Sequence, residues 1–149
     1  MMYLGVDPGR SGAMAVVSWE GSYIDHIKLN ETDHDICNWI RGHAPMIKYA
    51  VLEKVHAMPR QGVSSTFKFG VSFGLCRGFL VANLVSYEEF TPATWQRSLR
   101  CLSKGDKNVT KSKAQELFPN VKVTHAIADA LLIAEFARRE SCAHKEQKA

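Results

Sequence analysis

Three acidic residues occupy positions where a carboxylate could take part in catalysis. Asp7 and Glu53 each end a short apolar run, and Asp129 lies between alanines in an apolar helical segment. His125 precedes Asp129 by one helical turn and therefore projects from the same face. Three carboxylates brought close together would repel one another and resist ionisation. Divalent cations relieve that repulsion, and clustered carboxylate oxygens suit Mg²⁺ or Mn²⁺.

A carboxylate cluster of this kind predicts phosphodiester hydrolysis. Two ions about 3.5–4 Å apart can activate a water and stabilise the leaving oxygen. Taken singly, each acid has a plainer explanation as a surface or capping carboxylate, and Asp7 could cap the turn that follows it. We expect His125 to act as a neutral imidazole ligand or a proton shuttle. The alternative for His125 is a residue that caps the helix or faces solvent.

The elements that position these residues follow from apolar runs and breakers. Residues 3–6 and 12–17 read as two strands separated by the Pro8-Gly9 turn, because Pro lacks a donor and Gly favours a bend. Residues 49–53 predict a buried parallel strand beside the first. Two further strands are predicted, over 22–29 and over 85–90, and a loop is predicted over 55–65. Helices are predicted over 33–41, capped by Thr32 and closed by Gly42, and over 64–84. Towards the C-terminus, helices over 94–99 and 110–118 lie on either side of a basic loop over 103–108, and a final helix over 125–139 is capped by Thr124.

The helix over 64–84 carries glycines at a spacing of four residues, at Gly70, Gly74 and Gly78. Each glycine costs a helix roughly 1 kcal/mol relative to alanine, so the bare backbone must serve a contact. That contact could be close packing on the sheet or a second copy of the helix lying in the groove. Phe67 and Val71 belong to an adjacent apolar surface, which Phe69 and Phe73 extend nearly all round the helix. We therefore expect burial by both the sheet and a partner.

Composition is that of a soluble domain with a single core. The chain has 149 residues, a net charge of +4 and a pI near 8.9. No apolar run is long enough to span a bilayer, and the N-terminus lacks the pattern of a signal peptide. The cysteines are widely spaced, so we interpret them as reduced thiols in a cytoplasmic protein. No membrane and no small-molecule cofactor are expected.

Basic residues are concentrated in two segments. Lys104, Lys107, Lys111 and Lys113 form one cluster, and Lys54, His56 and Arg60 lie in the loop after Glu53. Both segments fit phosphate contact and predict binding to nucleic acid. A solvated basic loop is the alternative for the lysine cluster.

The ordered set of motifs resembles the RuvC-type Holliday junction resolvases, most closely their compact bacteriophage and prophage members. The motifs are GVDPGRSGAMAVV, AVLEKV, FKFGVSFGLCRGF, TPATWQRSL, KSKAQELFP and HAIADALLIAEFARR. This resemblance implies an α/β, ribonuclease H-like fold with a mixed five-stranded sheet and helices on both sides. It places a nuclease domain over residues 1–140 and a polar, flexible tail over 141–149.

The resemblance also implies a function. It predicts a homodimer that cuts four-way DNA junctions by paired nicks, leaving 5′-phosphate and 3′-hydroxyl ends, with two Mg²⁺ ions per active site and Mn²⁺ as a substitute. The catalytic acids carry over to Asp7, Glu53 and Asp129. His125 departs from the family pattern, since many members have a second acid in the last helix and some place that ligand three residues before the Asp, where this chain has Ala126.

Two further roles follow from the resemblance. An aromatic in the loop after Glu53 can stack on opened bases at the junction centre, and the candidates here are His56, Met58 and Phe67; the alternative is that Phe67 and Phe69 belong to the core. The dimer interface candidates are Phe67, Gly70, Val71, Gly74 and Gly78.

Other functions stay open. The same acids would serve a related nuclease acting on branched DNA or RNA–DNA hybrids. A junction-binding module that does not cut is a further alternative, because the fourth acid is missing. An actin-like sugar kinase would need two lobes, which this length does not allow.

Overall fold

The structure is a computed structural model that describes residues 1–146, with side chains described to residue 143. The strands are β1 (Met2–Asp7), β2 (Ala13–Ser18), β3 (Tyr23–Lys28), β4 (Ile47–Glu53) and β5 (Tyr87–Phe90), and the helices are α1 (Asp33–His43), α2 (Val63–Ala82), α3 (Pro92–Ser98), α4 (Lys107–Leu117) and α5 (His125–Glu146), with a 3₁₀ turn at Ala44–Met46.

The strands form a single mixed sheet in the order β3-β2-β1-β4-β5. β2 pairs antiparallel with both β1 and β3, while β1, β4 and β5 run parallel. Val6 pairs with Leu52, so the next residues, Asp7 and Glu53, leave neighbouring strands at the same edge. The predicted five-stranded mixed sheet and the parallel pairing of the two acid-bearing strands are confirmed.

Helices cover both faces of the sheet, as predicted. One face packs against α3, α4 and α5 through a cluster that includes Trp95, Ala114 and Leu131. The opposite face packs against α1 and α2 through a cluster that includes Ile36, Ile40 and Leu80. Alternation along the central strands divides the two clusters, because successive side chains of a strand point to opposite faces.

Gly5, in the middle of β1, permits the closest approach between the sheet and a helix. A methyl group on Gly5 would overlap the Ala130 carbonyl oxygen and the Ala134 amide nitrogen of α5. The backbones of β1 and α5 therefore touch with no side chain between them. The contact brings the first turns of α5, which carry Asp129, over the strand that carries Asp7.

Several predicted helix bounds were wrong. Gly42 does not close α1, which continues to His43 until Pro45, lacking an amide hydrogen, interrupts the ladder. α3 begins at Pro92 because the Thr91 side chain accepts from the Thr94 amide and Pro is favoured in the first turn.

The remaining corrections concern the last two helices and the fifth strand. α4 begins at Lys107, since Asp106 caps the Asn108 amide, so the predicted basic loop is shorter than expected. α5 continues to Glu146, past the predicted end at residue 139, and residues 147–149 of the predicted tail lie outside the described part. The strand predicted over 85–90 begins only at Tyr87, after Leu84 adopts a left-handed backbone with φ of 56°.

α2 buries one side and exposes the other. Cys76 and Leu80 face the sheet, whereas Phe67 is 72% and Val71 46% exposed. A methyl group at Gly70, Gly74 or Gly78 would meet nothing within 4 Å, so the glycines do not serve packing on the sheet. The interpretation of Phe67 as a core residue is therefore wrong.

No helix within residues 1–146 is both long enough and apolar enough to cross a lipid bilayer. The cysteines are free thiols, and Cys76 and Cys101 are buried.

Candidate active site

Asp7 is held by the turn that joins β1 to β2. The Gly12 amide donates to the Gly9 carbonyl at 3.0 Å and closes this turn. Gly9 has a φ of +110°, a conformation that side chains rarely adopt, and a methyl group at Gly12 would overlap the Asp7 carbonyl oxygen. The Gly9 amide also donates to Ser72 Oγ at 3.0 Å, which ties the turn to α2. The sequence GVDPGRSG thus specifies a rigid support for Asp7.

Glu53, at the end of β4, is held from the side by α3. The indole Nε1 of Trp95 donates to Glu53 Oε2 at 2.8 Å, and the Trp95 side chain is fully buried. The end of β4 is itself fixed, since the Lys54 amide donates to the Phe90 carbonyl of β5 at 2.7 Å.

Asp129 projects from the first turns of α5, which start where the Ala128 amide donates to the Thr124 carbonyl at 3.1 Å. Within the described residues, Asp129 Oδ1 is buried and has no hydrogen-bond partner. A buried carboxylate oxygen without a donor is costly, which points to a ligand that the protein itself does not supply.

The three acids perturb one another. Burial raises the pKa of Asp7 well above its usual range, and the negative charges of Glu53 and Asp129 raise it further while Lys107 opposes them. Burial raises the pKa of Glu53 to about 7, against the hydrogen bond from Trp95, and Asp129 adds to the rise. Burial also raises the pKa of Asp129, opposed by a hydrogen bond with Thr110 and by the charges of Lys107 and His125. Asp129 raises the pKa of both Asp7 and Glu53, and Glu53 raises that of Asp7, so the three predicted catalytic acids lie close together.

These acids do not form a closed ligand cage. Within the described part of the chain, no group of three or more His, Cys, Asp or Glu side chains could hold a metal ion by itself. An open pair of carboxylates still fits Mg²⁺, which commonly binds one or two protein carboxylates and completes its coordination with water and substrate phosphates. The unpartnered Asp129 oxygen and the raised pKa values of all three acids fit a cation in this place.

His125 and Lys107 lie at the rim of the cluster. His125 is exposed and close enough to Asp129 to favour its ionised form. Lys107, in the first turn of α4, stabilises the negative charge of both Asp7 and Asp129. Of the residues predicted to bind DNA, Lys107 is thus brought to the acids themselves.

The other predicted site residues differ in their exposure. Lys54, His56 and Arg60 are exposed, with Met58 60% exposed in the same loop. Lys104 is exposed, Lys111 is half-buried, and Lys113 is half-buried and pairs with Glu116 at 3.0 Å.

Four residues that support the site escaped the sequence analysis: Gly5, Ser72, Trp95 and Thr110. The alanines around Asp129 leave room for close packing of α5, but nothing in the sequence marked Gly5 as the residue it meets. Trp95 carried a signal that the sequence analysis did not use. A tryptophan in a short polar helix needs an acceptor for its N–H when it is buried. Thr110 and Ser72 carried no signal, since their roles depend on which helix packs where.

Comparisons with known proteins give structural matches alone. No family model matches the chain, and no curated protein matches it. Among solved structures, Thermus thermophilus RuvC matches with a TM-score of 0.65 and 17% sequence identity over 95% of this chain and 97% of that one. A structure of T. thermophilus RuvC in complex with a Holliday junction substrate also matches, with a TM-score of 0.65 and 17% identity over 97% of this chain and 96% of that one.

The chain has the RuvC fold.

The match covers nearly the whole length of both chains. It confirms the predicted ribonuclease H-like architecture. At 17% identity the likeness shows the fold, and the activity has to be argued from the site.

The raised pKa values predict how metal and pH act on stability. A Glu53 pKa of about 7, against its ordinary 4.5, means that the folded metal-free protein keeps a proton that the unfolded chain loses. Stability should therefore fall as pH rises from about 4.5 to about 7, by on the order of 1–3 kcal/mol. In EDTA, we expect Tm to drop between pH 5 and pH 8, and the Tm increase caused by Mn²⁺ to grow over the same range.

The control for that measurement is a carboxylate away from the site. Glu53→Gln should flatten the fall in Tm with pH, whereas Glu20→Gln, in the exposed β2–β3 turn, should leave it unchanged. The account of the site would be contradicted by a Tm that is constant or rises between pH 5 and pH 8 in the wild type.

Proposed function

We propose that this protein is a metal-dependent, structure-selective endonuclease that resolves four-way DNA junctions by paired nicks as a homodimer. The observation that carries the proposal is the meeting of Asp7, Glu53 and Asp129, each with a raised pKa, at one edge of a RuvC-like sheet. A structural match, T. thermophilus RuvC, is known in complex with a Holliday junction substrate, which supports this substrate class.

Asp7, Glu53 and Asp129 are the residues that would hold Mg²⁺, or Mn²⁺ in its place, at two ions per active site. The ions would lower the pKa of a bound water and neutralise charge on the leaving oxygen. The chain supplies the rest: Lys107 binds the phosphate beside Asp7 and Asp129, and His125 either joins the ligands or carries a proton. The buried surroundings of the acids strengthen each of these interactions.

Basic residues lie in two segments next to the site. Lys54, His56 and Arg60 extend from the end of β4, and Lys104, Lys107, Lys111 and Lys113 from the start of α4. Each phosphate that they neutralise releases counterions, so affinity for DNA should fall steeply with salt. Branched shape, rather than base sequence, then determines most of the specificity.

The loop between β4 and α2, together with the start of α2, offers candidates for a wedge at the junction centre. His56 and Met58 lie in the loop and Phe67 lies in α2. Met58 is 60% exposed and Phe67 is 72% exposed. An exposed apolar side chain beside a basic surface is suited to stacking on unpaired bases. This placement supports a role at opened base pairs for one of the three.

The exposed face of α2 supports a homodimer. Phe67, Val71 and Leu75 form an apolar strip, and the open glycines beside it allow another backbone to approach. A two-fold dimer would place two active sites on a junction that has the same symmetry.

A second candidate is a junction-binding module that does not cut. It is favoured by the lack of a second acid one turn before Asp129, where α5 has His125 and Ala126, and by the lack, among the described residues, of a group that could hold a metal unaided. The cleavage assay below separates the two candidates. A phage origin and a place in the bacterial cytoplasm stay predictions.

The direct test is cleavage of a synthetic four-way junction. We expect Mg²⁺-dependent paired nicks by the wild type and a loss of at least about 10³-fold for Asp7→Asn, because the nick needs the transition-state stabilisation that the acids provide. His125→Ala should reduce cleavage about 10–100-fold, the size of a ligand or proton-transfer contribution.

His34→Ala, on the exposed surface of α1, is the control and should cut like the wild type. Binding of the junction without cleavage in either Mg²⁺ or Mn²⁺ would contradict the nuclease proposal and favour the binding module. Near-native cleavage by His125→Ala would remove that residue from the mechanism.

Self-association can be tested at Gly74. Alanine there meets no atom within 4 Å in its own chain, so it should stabilise α2 by about 1 kcal/mol. If a second α2 occupies the groove, the same methyl group should weaken dimerisation about tenfold, by overpacking. Sedimentation equilibrium measures that change.

The matched control is Gly42→Ala, also a helical glycine with open space around it. It should raise Tm like Gly74→Ala but leave dimerisation unchanged. A wild type that stays monomeric at concentrations that cut junctions would contradict the dimer, as would dimerisation of Gly74→Ala at wild-type strength.

A further inference from the structure

We propose that Trp95 is a positioning residue that fixes the Glu53 carboxylate in the orientation needed to bind a divalent cation. The inference rests on the proposed function, because it assigns a role within the same site. It names a residue outside the acids and basic groups that the sequence singled out.

The contact is a hydrogen bond from a fully buried indole to a partly buried carboxylate. Trp95 Nε1 donates to Glu53 Oε2 at 2.8 Å, and the Trp95 side chain has 0% exposure. Within the described residues Trp95 engages Glu53 only through Oε2, which leaves Oε1 for a ligand. A carboxylate with one oxygen held cannot rotate freely, so its second oxygen is presented in one direction.

The scaffold that carries Trp95 is rigid. β5 ends beside Glu53, and the chain turns at once into α3, whose start is fixed by the Thr91 cap and by Pro92. The ring belongs to the core cluster that also contains Ile127 and Ala130 of α5. Trp95 therefore links the strand that carries Glu53 to the layer that carries Asp129.

A role in packing alone does not account for a tryptophan here. The indole N–H is the one polar group of the ring, and burying it without an acceptor would be costly. A phenylalanine would fill most of the same space without needing any partner.

The chain contains a matched pair away from the site. Trp39 Nε1 donates to Asp25 Oδ2, also at 2.8 Å, on the opposite face of the sheet. The donor, the acceptor type and the distance are the same, but Asp25 is not near Asp7 or Asp129. Trp39→Phe is therefore the control for Trp95→Phe.

The first experiment measures Mn²⁺ binding by isothermal titration calorimetry without DNA. Trp95→Phe should weaken Mn²⁺ binding about 10–100-fold, as loss of a hydrogen bond to a metal ligand does elsewhere. Trp39→Phe should bind Mn²⁺ like the wild type. In junction cleavage, Trp95→Phe should lower kcat at limiting Mn²⁺, recover at high Mn²⁺, and leave the KM for DNA unchanged.

A second measurement does not depend on the folding of Trp95→Phe. In a protein with Trp19→Phe and Trp39→Phe, Trp95 gives a single indole N–H resonance, which should shift when Mg²⁺ is added. Adding Glu53→Gln to that background should abolish the shift. A purely structural tryptophan would show no response to Mg²⁺.

The outcomes separate this inference from the proposed function. The positioning role is overturned if Trp95→Phe binds Mn²⁺ with wild-type affinity, or if the indole resonance does not respond to Mg²⁺, while the wild type still cuts junctions. A wild type that neither binds Mn²⁺ nor cuts junctions overturns the proposed function, and the role of Trp95 with it.

Discussion

The site depends on direct contact between the backbones of β1 and α5 at Gly5. Any side chain at this position would collide with the Ala130 carbonyl and the Ala134 amide. Because α5 packs directly on the central strand, Asp129 reaches the end of that strand, where Asp7 leaves it. Glu53 joins them since β4 pairs in parallel beside β1. A separation of one side-chain layer between α5 and β1 would take Asp129 away from the other two acids.

That geometry places three buried carboxylates close together, and neighbouring groups of the site partly offset the resulting rise in their pKa values. Burial raises the pKa of all three acids, and repulsion from neighbouring acids adds to the rise at Asp7 and Glu53. Trp95, Thr110 and Lys107 act in the opposite direction, each from a helix that packs on the same face of the sheet. The opposition is incomplete, because Glu53 keeps a pKa of about 7 and Asp129 Oδ1 has no partner within the described residues. An unresolved conflict at one place in an otherwise well-packed domain is typical of a functional site.

Much of this arrangement could be predicted from the sequence. The apolar runs that end in Asp7 and Glu53 indicated parallel neighbouring strands, and the Pro8-Gly9 breaker located the turn between β1 and β2. The alanines beside Asp129 leave the room that α5 needs to approach the sheet closely. Two helix ends were predicted wrongly from local sequence. Asp106 was not recognised as the cap of α4, and Gly42 was wrongly taken as the end of α1. The partners of Trp95 and Thr110 could not be assigned, since they are distant in sequence and the contacts exist only after packing.

The direct test of the central claim is a crystal structure of the protein soaked in Mn²⁺, at a concentration that supports cleavage, with the metal located by its anomalous scattering. The account predicts Mn²⁺ in contact with a carboxylate oxygen of Asp7 and of at least one of Glu53 and Asp129. The contradicting result is a structure with no Mn²⁺ at Asp7, or with Asp7, Glu53 and Asp129 too far apart to share an ion.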